Sequence, residues 1–312
     1  MTQRNLAVDS LKVALACMVV GIHGHFLNNE SPLLSGLLTN GLFRVAVPAF
    51  FILNGYYLAP ALADPPAFGR WLKRILILYA VWSFVYAPQF APPWHPLNQF
   101  GVLLATGFNH LWYLIAAAMG GCLLYIVNTR WPKAMPGLAA VLFLAGVAVQ
   151  YDVGYGWLFS DSIQRLHFLT PLYRNFALFA FPYMVLGVMM ARGDWLKTIS
   201  RPVVLAMAVF GIILVTVEAW INLLYRATGT FDLLLLAPPA ALGLCLLALR
   251  SSRTTASGYL SHLSIFVYLL HPWVLTAFDS LHWTATGATG PWPSWSVPSS
   301  RPWRSGSTGT HR

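Results

Sequence analysis

Two ionisable side chains, Lys12 and His23, lie in the first long apolar stretch of the sequence, LKVALACMVVGIHGH. On an α-helix, their separation of eleven residues is three turns plus about 20°, so both project from one face, about 16 Å apart along the axis. An ionisable residue inside a membrane span is costly and is therefore a functional candidate. Imidazole titrates near neutral pH, which suits a general base that removes a proton from a hydroxyl group.

Each of these residues also has a purely structural interpretation. The ammonium group of Lys12 could extend to the lipid headgroups, and His23 could be a neutral imidazole hydrogen-bonded between helices. A second histidine, His25, lies about 200° around the helix from His23, so we do not expect both rings to face one cavity.

The composition indicates which elements must position these residues. Of 312 residues, 57% are hydrophobic and 9% are charged, and the mean hydropathy is +0.62. Soluble domains carry about 25% charged residues. Apolar runs of roughly 20 residues recur, each long enough to cross a bilayer. The sequence therefore predicts an all-α, polytopic bundle of transmembrane helices.

Other classes of site fit the composition poorly. Cys17, Cys122 and Cys245 all lie within apolar runs, so we interpret them as packing residues, neither a disulfide set nor a metal site. The formal net charge of +10 comes from basic residues spread between helices, which argues against a nucleic-acid-binding surface. No small-residue cleavage site followed by a soluble chain is evident, so the first apolar stretch is expected to be a permanent span.

We predict about nine transmembrane helices, with a shorter apolar stretch at 97–108 leading into the fourth: 7–27, 41–62, 71–88, 110–127, 134–151, 174–191, 202–224, 231–249 and 261–281. Alternate connections contain most of the basic residues: Arg70, Lys73, Arg74, Arg130, Lys133, Arg192, Lys197, Arg201, Arg250 and Arg253. The positive-inside rule then predicts a cytoplasmic N-terminus and an outer loop at 152–173.

The C-terminal segment has a different composition. From about Thr284 onward it contains four prolines and many Ser, Thr and Gly residues, with no apolar run. Such a segment cannot bury enough surface to fold. We therefore expect a membrane domain at 1–283 and a disordered tail at 284–312, on the side opposite the N-terminus. A frameshift or truncation would produce such a change.

Several blocks of the sequence together resemble the acyltransferase-3 family of integral membrane acyltransferases. A basic residue, ten residues and a histidine in the first span match its first signature. FRVAVPAFFILNGYYL at 43–58 resembles the family's second-helix block, and RWLKR at 70–74 resembles its Arg-x-x-Arg element. HLWYL at 110–114 and SIFVYLLHP at 264–272 match two further blocks. The order and spacing agree over about residues 4–282.

The sequence departs from the family pattern at two places. Asn54 stands where the family usually has serine, which keeps a polar group but changes its hydrogen-bond donors. Family members generally have a tenth span, and the residues that should form it here belong to the tail. Every recognised block lies upstream of that tail.

The resemblance implies transfer of an acyl group, usually acetyl from acetyl-CoA, to a hydroxyl of a sugar or polysaccharide. Acetyl-CoA would be a co-substrate, with no tightly bound cofactor and no metal. Lys12, Arg70, Lys73 and Arg74 are candidates to bind the donor's phosphates, with Arg suited to bidentate contacts. The basic loop could also serve only to set the topology. His23 is the candidate catalytic base for the acceptor hydroxyl.

Further polar residues are candidates for the cavity and the substrate site: Arg44, Asn54, Tyr56, His110, Glu218 and His271. Asn54 could instead bond between helices, and His110 could be an interfacial residue beside Trp112. Pro272 would loosen the helix next to His271. Glu218 could pair with a core histidine or arginine. Asp9 is expected to pair with Lys12 or Arg4 as a structural contact.

Among family members, the opening QRNLAVDSLKVALACMVVGIHGHFL is most similar to exopolysaccharide O-acetyltransferases of the xanthan type. That similarity implies a bacterial inner-membrane enzyme acting on a polysaccharide or lipid-linked repeat unit, such as one carrying mannose. Two other hypotheses remain. The histidines, Glu218 and Lys12 could form the proton relay of a transporter, although the halves show no inverted repeat. The chain could also be an inactive, truncated member.

Overall fold

The computed structural model describes residues 3–90, 97–157, 170–225 and 231–285. Helices account for nearly all of its regular structure. The α-helices are α1 Leu6–His23, α2 Pro32–Thr39, α3 Ala46–Leu58, α4 Pro65–Phe90, α5 Leu97–Thr106, α6 Trp112–Arg130, α7 Met135–Tyr155, α8 Thr170–Tyr173, α9 Phe181–Arg192, α10 Trp195–Thr198, α11 Arg201–Leu224, α12 Ala237–Leu249 and α13 Tyr259–Ala285. Short 3₁₀ turns cover Leu42–Val45, Ala59–Ala63 and Asn109–Leu111, and a π-helical turn covers Phe176–Ala180.

A two-stranded antiparallel sheet is formed by Arg4–Asn5 (β1) and Thr254–Thr255 (β2). It lies beside the start of α1, where the Asn5 side chain accepts a hydrogen bond from the Val8 N–H at 3.1 Å. The Asn5 amide also donates to the carbonyl oxygens of Leu249 and Ser251 at 3.3 and 3.0 Å. This residue therefore caps α1 and ties it to the end of α12.

Within the described residues, six helical stretches are long and apolar enough to cross a membrane: Leu6–His23, Pro32–Ala63, Asn109–Arg130, Met135–Tyr155, Arg201–Leu224 and Tyr259–Phe278. Phe176–Arg192 and Ala237–Leu249 are shorter apolar helices. The prediction of an all-α, polytopic bundle is confirmed. The chain divides into two compact units, Met1–His271 and Pro272–Arg312. In the second, the described residues are helical as far as Ala285.

Two predictions for the region that follows the first helix are wrong. The first helix ends at His23 rather than at residue 27, because Gly24 caps it and the next residues form turns. Two of those residues, His25 and Leu27, have the left-handed φ values of 49° and 60°, which end a helix. The segment 28–40, predicted as a loop, contains helix α2.

The predicted helix 231–249 begins only at Ala237. Its first six residues, 231–236, are irregular although Leu233 and Leu234 are fully buried. The Gln150 side chain supports them: its oxygen accepts from the N–H groups of Asp232 and Leu233 at 2.9 and 2.8 Å, and its amide donates to the Leu233 carbonyl oxygen at 3.1 Å. These contacts satisfy backbone groups that lipid could not.

The other predicted spans each correspond to a helical region, with ends shifted by a few residues. The predicted helix 174–191 starts as the π-helical turn, whose first N–H groups bond to the Asn175 side chain at 2.9 Å. The predicted outer loop 152–173 lies largely outside the described residues. So does the predicted tail, beyond residue 285.

Helices α3 and α9 pack with their backbones in close contact. A Cβ atom added at Gly187 would lie 2.0 Å from the Ile52 carbonyl oxygen, and one added at Gly55 would lie 2.0 Å from the Met184 carbonyl oxygen. Small residues at such interfaces let membrane helices approach closely and gain packing energy. This contact fixes the position of α3, which contains Asn54.

We predict that Gly187→Ala destabilises the protein by about 1 to 3 kcal/mol, since the added methyl must separate the α3 and α9 backbones. The matched control is Gly69→Ala in α4, where an added Cβ meets nothing within 4 Å. That change should be neutral or stabilising by up to about 1 kcal/mol. The measurement is the free energy of unfolding in mixed detergent micelles. Equal effects of the two substitutions would contradict the close packing.

Candidate functional site

Three histidine rings meet where the end of α1, the turn before α6 and helix α13 come together. The ring centroid of His271 lies 5.1 Å from that of His23 and 5.1 Å from that of His110. His110 is only 2% exposed, so its alternative interpretation as an interfacial residue is wrong. His25 is exposed and outside the cluster, as predicted. We call His23, His110 and His271 the histidine cluster.

The hydrogen bonding of His271 assigns the position of its proton. Its Nδ1 lies 2.7 Å from the carbonyl oxygen of Tyr268. A carbonyl oxygen can only accept, so Nδ1 carries the hydrogen and Nε2 keeps a lone pair. Nε2 is buried and has no hydrogen-bond partner among the described residues. The histidine cluster therefore contains a buried acceptor to which the described residues supply no donor.

Tyrosine side chains hold the helices around the histidine cluster. The Tyr268 hydroxyl donates to the carbonyl oxygen of His110 at 2.5 Å, and the Tyr86 hydroxyl donates to that of Leu269 at 2.7 Å. Both phenol rings pack edge-on against the His110 ring, with centroids 5.2 and 5.0 Å away. These contacts link α4, the turn before α6 and α13, and they keep the His110 ring in a dry, aromatic environment.

A cavity of about 230 Å³ adjoins the cluster. Its lining is mostly apolar, with a few polar side chains that include Lys12, Asn54, Tyr113, Ser264 and Tyr268. Tyr268 lines the cavity and also contacts the His110 ring. The histidines themselves are not among the lining residues. The cavity therefore reaches the histidine cluster through Tyr268.

Lys12 lies in the wall of this cavity rather than extending to a headgroup. Its side chain is 25% exposed, with Nζ 3.7 Å from Asp9 and 5.6 Å from the centroid of the Tyr57 ring. The Asp9 carboxylate also pairs with Arg4 at 2.9 Å. The predicted structural role of Asp9 is confirmed. Since Arg4 already balances Asp9, the Lys12 ammonium retains positive charge for an anionic ligand.

Helix α3 contributes Asn54 and Tyr57 to the cavity. The Asn54 amide donates to the Tyr113 hydroxyl at 2.6 Å, so Asn54 bonds between helices and lines the cavity at once. Tyr56, predicted as a substrate residue, is not in the lining and packs in the core. The helical phase explains this correction, because adjacent residues on a helix point about 100° apart.

Arg44 belongs to a buried ion pair. Its Nη1 donates to the Asp232 carboxylate, its Nε donates to the Thr39 carbonyl oxygen at 2.8 Å, and its Nη2 donates to the Asn40 side chain at 3.3 Å. Each nitrogen of the guanidinium thus has a protein partner. Arg44 is not among the residues that line the cavity.

A second guanidinium, that of Arg174, approaches the same carboxylate. Its Nη1 lies 3.5 Å from Asp232, and its side chain is 28% exposed. Its Cζ lies 5.0 Å from the centroid of the Trp112 ring. Sequence reasoning missed Asp232 and Arg174, although each is an ionisable residue at the start of a predicted span.

The predicted basic loop at 70–74 does not contribute to the cavity. Arg70, Lys73 and Arg74 are exposed in the first turns of α4. Arg70 has a long contact of 4.0 Å with Asp64. The three side chains are absent from the cavity lining, so the structure does not bring them together with Lys12.

Comparison with known proteins agrees with the resemblance seen in the sequence. Residues 5–297 match the family profile described as "Acyltransferase domain". The chain belongs to the acyltransferase-3 family. Four of the five sequence blocks of this acyltransferase supply residues of the cavity or the histidine cluster: 12–23, 43–58, 110–114 and 264–272. The fifth, 70–74, forms the exposed basic turn.

Two curated relatives have other names. A serine/alanine racemase of Enterococcus gallinarum is 27% identical over 87% of this chain and 41% of its own length. An amino-acid racemase of Enterococcus faecalis is 27% identical over 90% of this chain and 42% of its own. The chain thus spans about two fifths of the length of these relatives. No solved structure matches the chain significantly.

Glu218 has a structural task. Its carboxylate accepts hydrogen bonds from the N–H groups of Leu235 and Leu236 at 2.7 and 2.8 Å, and from the Tyr151 hydroxyl. Among the described residues, no histidine or arginine pairs with Glu218. It is also absent from the cavity lining. Glu218 completes the support of the irregular segment that precedes α12 in this acyltransferase.

We predict that Glu218→Ala lowers the free energy of unfolding by about 3 kcal/mol, because two backbone N–H groups and the Tyr151 hydroxyl lose their acceptor. Glu30→Ala, at an exposed position after α1, is the control and should stay within about 0.5 kcal/mol. Unfolding in mixed micelles, followed by tryptophan fluorescence, measures both. A catalytic Glu218 would instead leave stability unchanged and abolish activity.

Proposed function

We propose that this chain transfers an acetyl group from acetyl-CoA to a sugar hydroxyl of a bacterial exopolysaccharide or its lipid-linked repeat unit, with His23 as the general base. The observation that carries the proposal is the histidine cluster beside a cavity whose wall contains the half-buried Lys12. The cavity offers an apolar space for a thioester, and Lys12 offers a cation for the donor.

The reaction moves one proton from the hydroxyl oxygen of the acceptor to the sulfur of the departing thiol, by way of His23. His23 takes the proton of the acceptor hydroxyl while that oxygen attacks the carbonyl carbon of the thioester. The C–O bond forms, the C–S bond breaks, and the departing thiolate takes the proton back from the imidazolium. The attacking hydroxyl has one hydrogen, which goes to His23, so Nε2 of His271 accepts a hydrogen bond from a neighbouring hydroxyl of the acceptor instead. His23 is partly exposed, as a base that meets a substrate must be.

The donor's charged end requires cations. Acetyl-CoA is made in the cytoplasm, and the alternation of basic connections supports a cytoplasmic N-terminus in the inner membrane. In that orientation Lys12 lies near the cytoplasmic end of α1, and the exposed Arg70, Lys73 and Arg74 have donors free for phosphates. The acyl end then extends along the cavity toward the histidine cluster.

The acceptor assignment rests on the similarity of the opening segment to exopolysaccharide enzymes of the xanthan type, where the acceptor is mannose. The two racemase relatives favour a second candidate, the hydroxyl of an amino acid such as serine. Their names describe whole proteins, three fifths of which lie outside the match. Both acceptors present a hydroxyl to the same base, so the chemistry at His23 is unchanged.

We expect His23→Ala to lower the transfer rate by roughly 10²- to 10⁴-fold, the usual contribution of a general base. His25→Ala is the matched control, since His25 is two residues away but exposed, and its rate should equal that of the unaltered protein. The measurements are thiol release from acetyl-CoA in proteoliposomes and the O-acetyl content of polysaccharide, by NMR, in a complemented deletion strain. Serine replaces the polysaccharide in a parallel assay.

Three outcomes would contradict the proposal. Full activity of His23→Ala at equal membrane levels makes His23 a packing residue. Equal losses in His23→Ala and His25→Ala point to a general effect on the end of α1. Proton-coupled uptake without any thiol release from acetyl-CoA would identify a transporter.

We also expect Lys12→Met to raise the KM for acetyl-CoA roughly tenfold with little change in kcat, because a cation that binds the donor equally in ground and transition states is lost. Lys12→Arg should retain most of the affinity. Lys133→Met, at an exposed position, is the control for lost charge. Initial rates of thiol release give both constants. If Lys12→Met lowers the melting temperature and leaves KM unchanged, Lys12 serves only its contact with Asp9.

A further inference from the structure

Two guanidinium groups share one carboxylate in the interior of the bundle. Arg44, Arg174 and Asp232 carry a net charge of +1, and the side chains of Arg44 and Asp232 are 7% and 10% exposed. Removing charges from water is costly unless they are balanced. The described residues supply no second carboxylate to this group, so one positive charge is unbalanced within the part of the chain that the structure describes.

The uncompensated charge belongs to Arg174. All three nitrogens of the Arg44 guanidinium are bonded to protein. Arg174 has one ion-pair contact, at 3.5 Å, and one aromatic contact, with Trp112, among the described residues. An Arg guanidinium has five N–H donors in a planar fork. Most of these donors are therefore available, and the side chain is accessible.

Neighbouring residues fix the position and the orientation of the Arg174 side chain. It directly precedes Asn175, whose side chain caps the π-helical turn, so its backbone is held firmly. The Trp112 face and the Asp232 carboxylate then orient the guanidinium. Its guanidinium packs on the ring of Trp112, two residues after His110 in the chain, and it is not in the lining of the Lys12 cavity. A ligand held by Arg174 would therefore lie near the histidine cluster and outside the space assigned to the thioester.

We propose that Arg174 binds an anionic group, a carboxylate or a phosphate, on the acceptor molecule and so places the acceptor's hydroxyl at the histidine cluster. The inference rests on the proposed function, because the acceptor is the substrate of that transfer. Arg forms paired, charge-assisted hydrogen bonds with both kinds of oxyanion. An acidic sugar or a sugar linked to lipid through phosphate would meet this requirement, and a neutral sugar would not.

Binding can be measured at the residue itself. Phenylglyoxal modifies accessible guanidinium groups, and peptide mass spectrometry gives the modification rate at each arginine. The probes are mannuronic acid, mannose 1-phosphate and neutral methyl mannoside, with the full chain in phosphatidylcholine vesicles. The two anionic sugars should slow modification of Arg174 severalfold relative to methyl mannoside. The exposed Arg130 should react equally with all three probes.

The two anionic sugars and an anionic lipid distinguish three sources of the anionic group that Arg174 would bind. Protection by mannuronic acid indicates an acidic sugar, and protection by mannose 1-phosphate indicates a phosphate-linked one. A parallel sample in vesicles that contain an anionic lipid tests the membrane as a source. Protection by that lipid alone, or equal protection by methyl mannoside, overturns the proposal, as does the absence of any protection.

The same experiment on His23→Ala separates this inference from the catalytic one. Protection of Arg174 in that variant should persist, because binding does not need the base. If protection is lost everywhere while His23→Ala remains inactive, the anion site is wrong and the base assignment stands. If Arg174 is protected but His23→Ala is fully active, the base assignment is wrong and the anion site stands.

Kinetics give a second readout. Arg174→Met should raise the KM for an anionic acceptor by roughly 10- to 100-fold, the range for losing a charged hydrogen bond, and leave the KM for acetyl-CoA unchanged. Arg174→Lys should recover part of the affinity, since it restores the charge without the planar fork. An equal loss in both variants together with a lower melting temperature makes Arg174 a structural partner of Asp232 and overturns the proposal.

Discussion

Backbone polar groups at the depth of a membrane must find partners within the protein, since lipid supplies none. In this chain that constraint acts most strongly on the irregular segment 231–236, which is placed between two helices and largely buried. Gln150 and Glu218 satisfy its N–H groups from two different helices. Because both supports are fixed, Asp232 is held in one position, and its carboxylate becomes the point where Arg44 and Arg174 converge.

This arrangement has an energetic cost that packing alone does not require. Replacing a buried ion pair by apolar residues of similar volume is often neutral or stabilising. A helix that started at residue 231 would bond the N–H groups of Leu235 and Leu236 within itself and would not need Glu218. A buried ion pair and an irregular segment that other side chains must support are features expected mainly at functional sites. The break before α12 is therefore best understood as the device that places charge beside the histidine cluster.

The sequence was sufficient for the nine helical regions, because long apolar runs and their flanking charges report spans directly. It also identified the histidines and Lys12, since titratable groups are conspicuous in apolar helices. It failed where the outcome depended on contacts distant in the chain. The sequence indicates Tyr56, but Tyr57 lines the cavity, and the phase of α3 relative to its neighbours cannot be read from the sequence. Glu218 was given to catalysis or pairing, since nothing in its own helix reveals that it supports Leu235 and Leu236.

The separate positions of Lys12 and Arg174 bear on how the transfer proceeds. Under the proposed function, the donor occupies the cavity that contains Lys12, and the acceptor is held by Arg174 outside its lining. Both regions adjoin the histidine cluster, the first through Tyr268, whose ring contacts that of His110, and the second through Trp112, two residues after His110. The two substrates can then meet at one base without an acyl-enzyme intermediate. Direct transfer is therefore the simpler mechanism. A covalent acyl-enzyme intermediate would be needed only if the donor site and the acceptor site did not adjoin the same base.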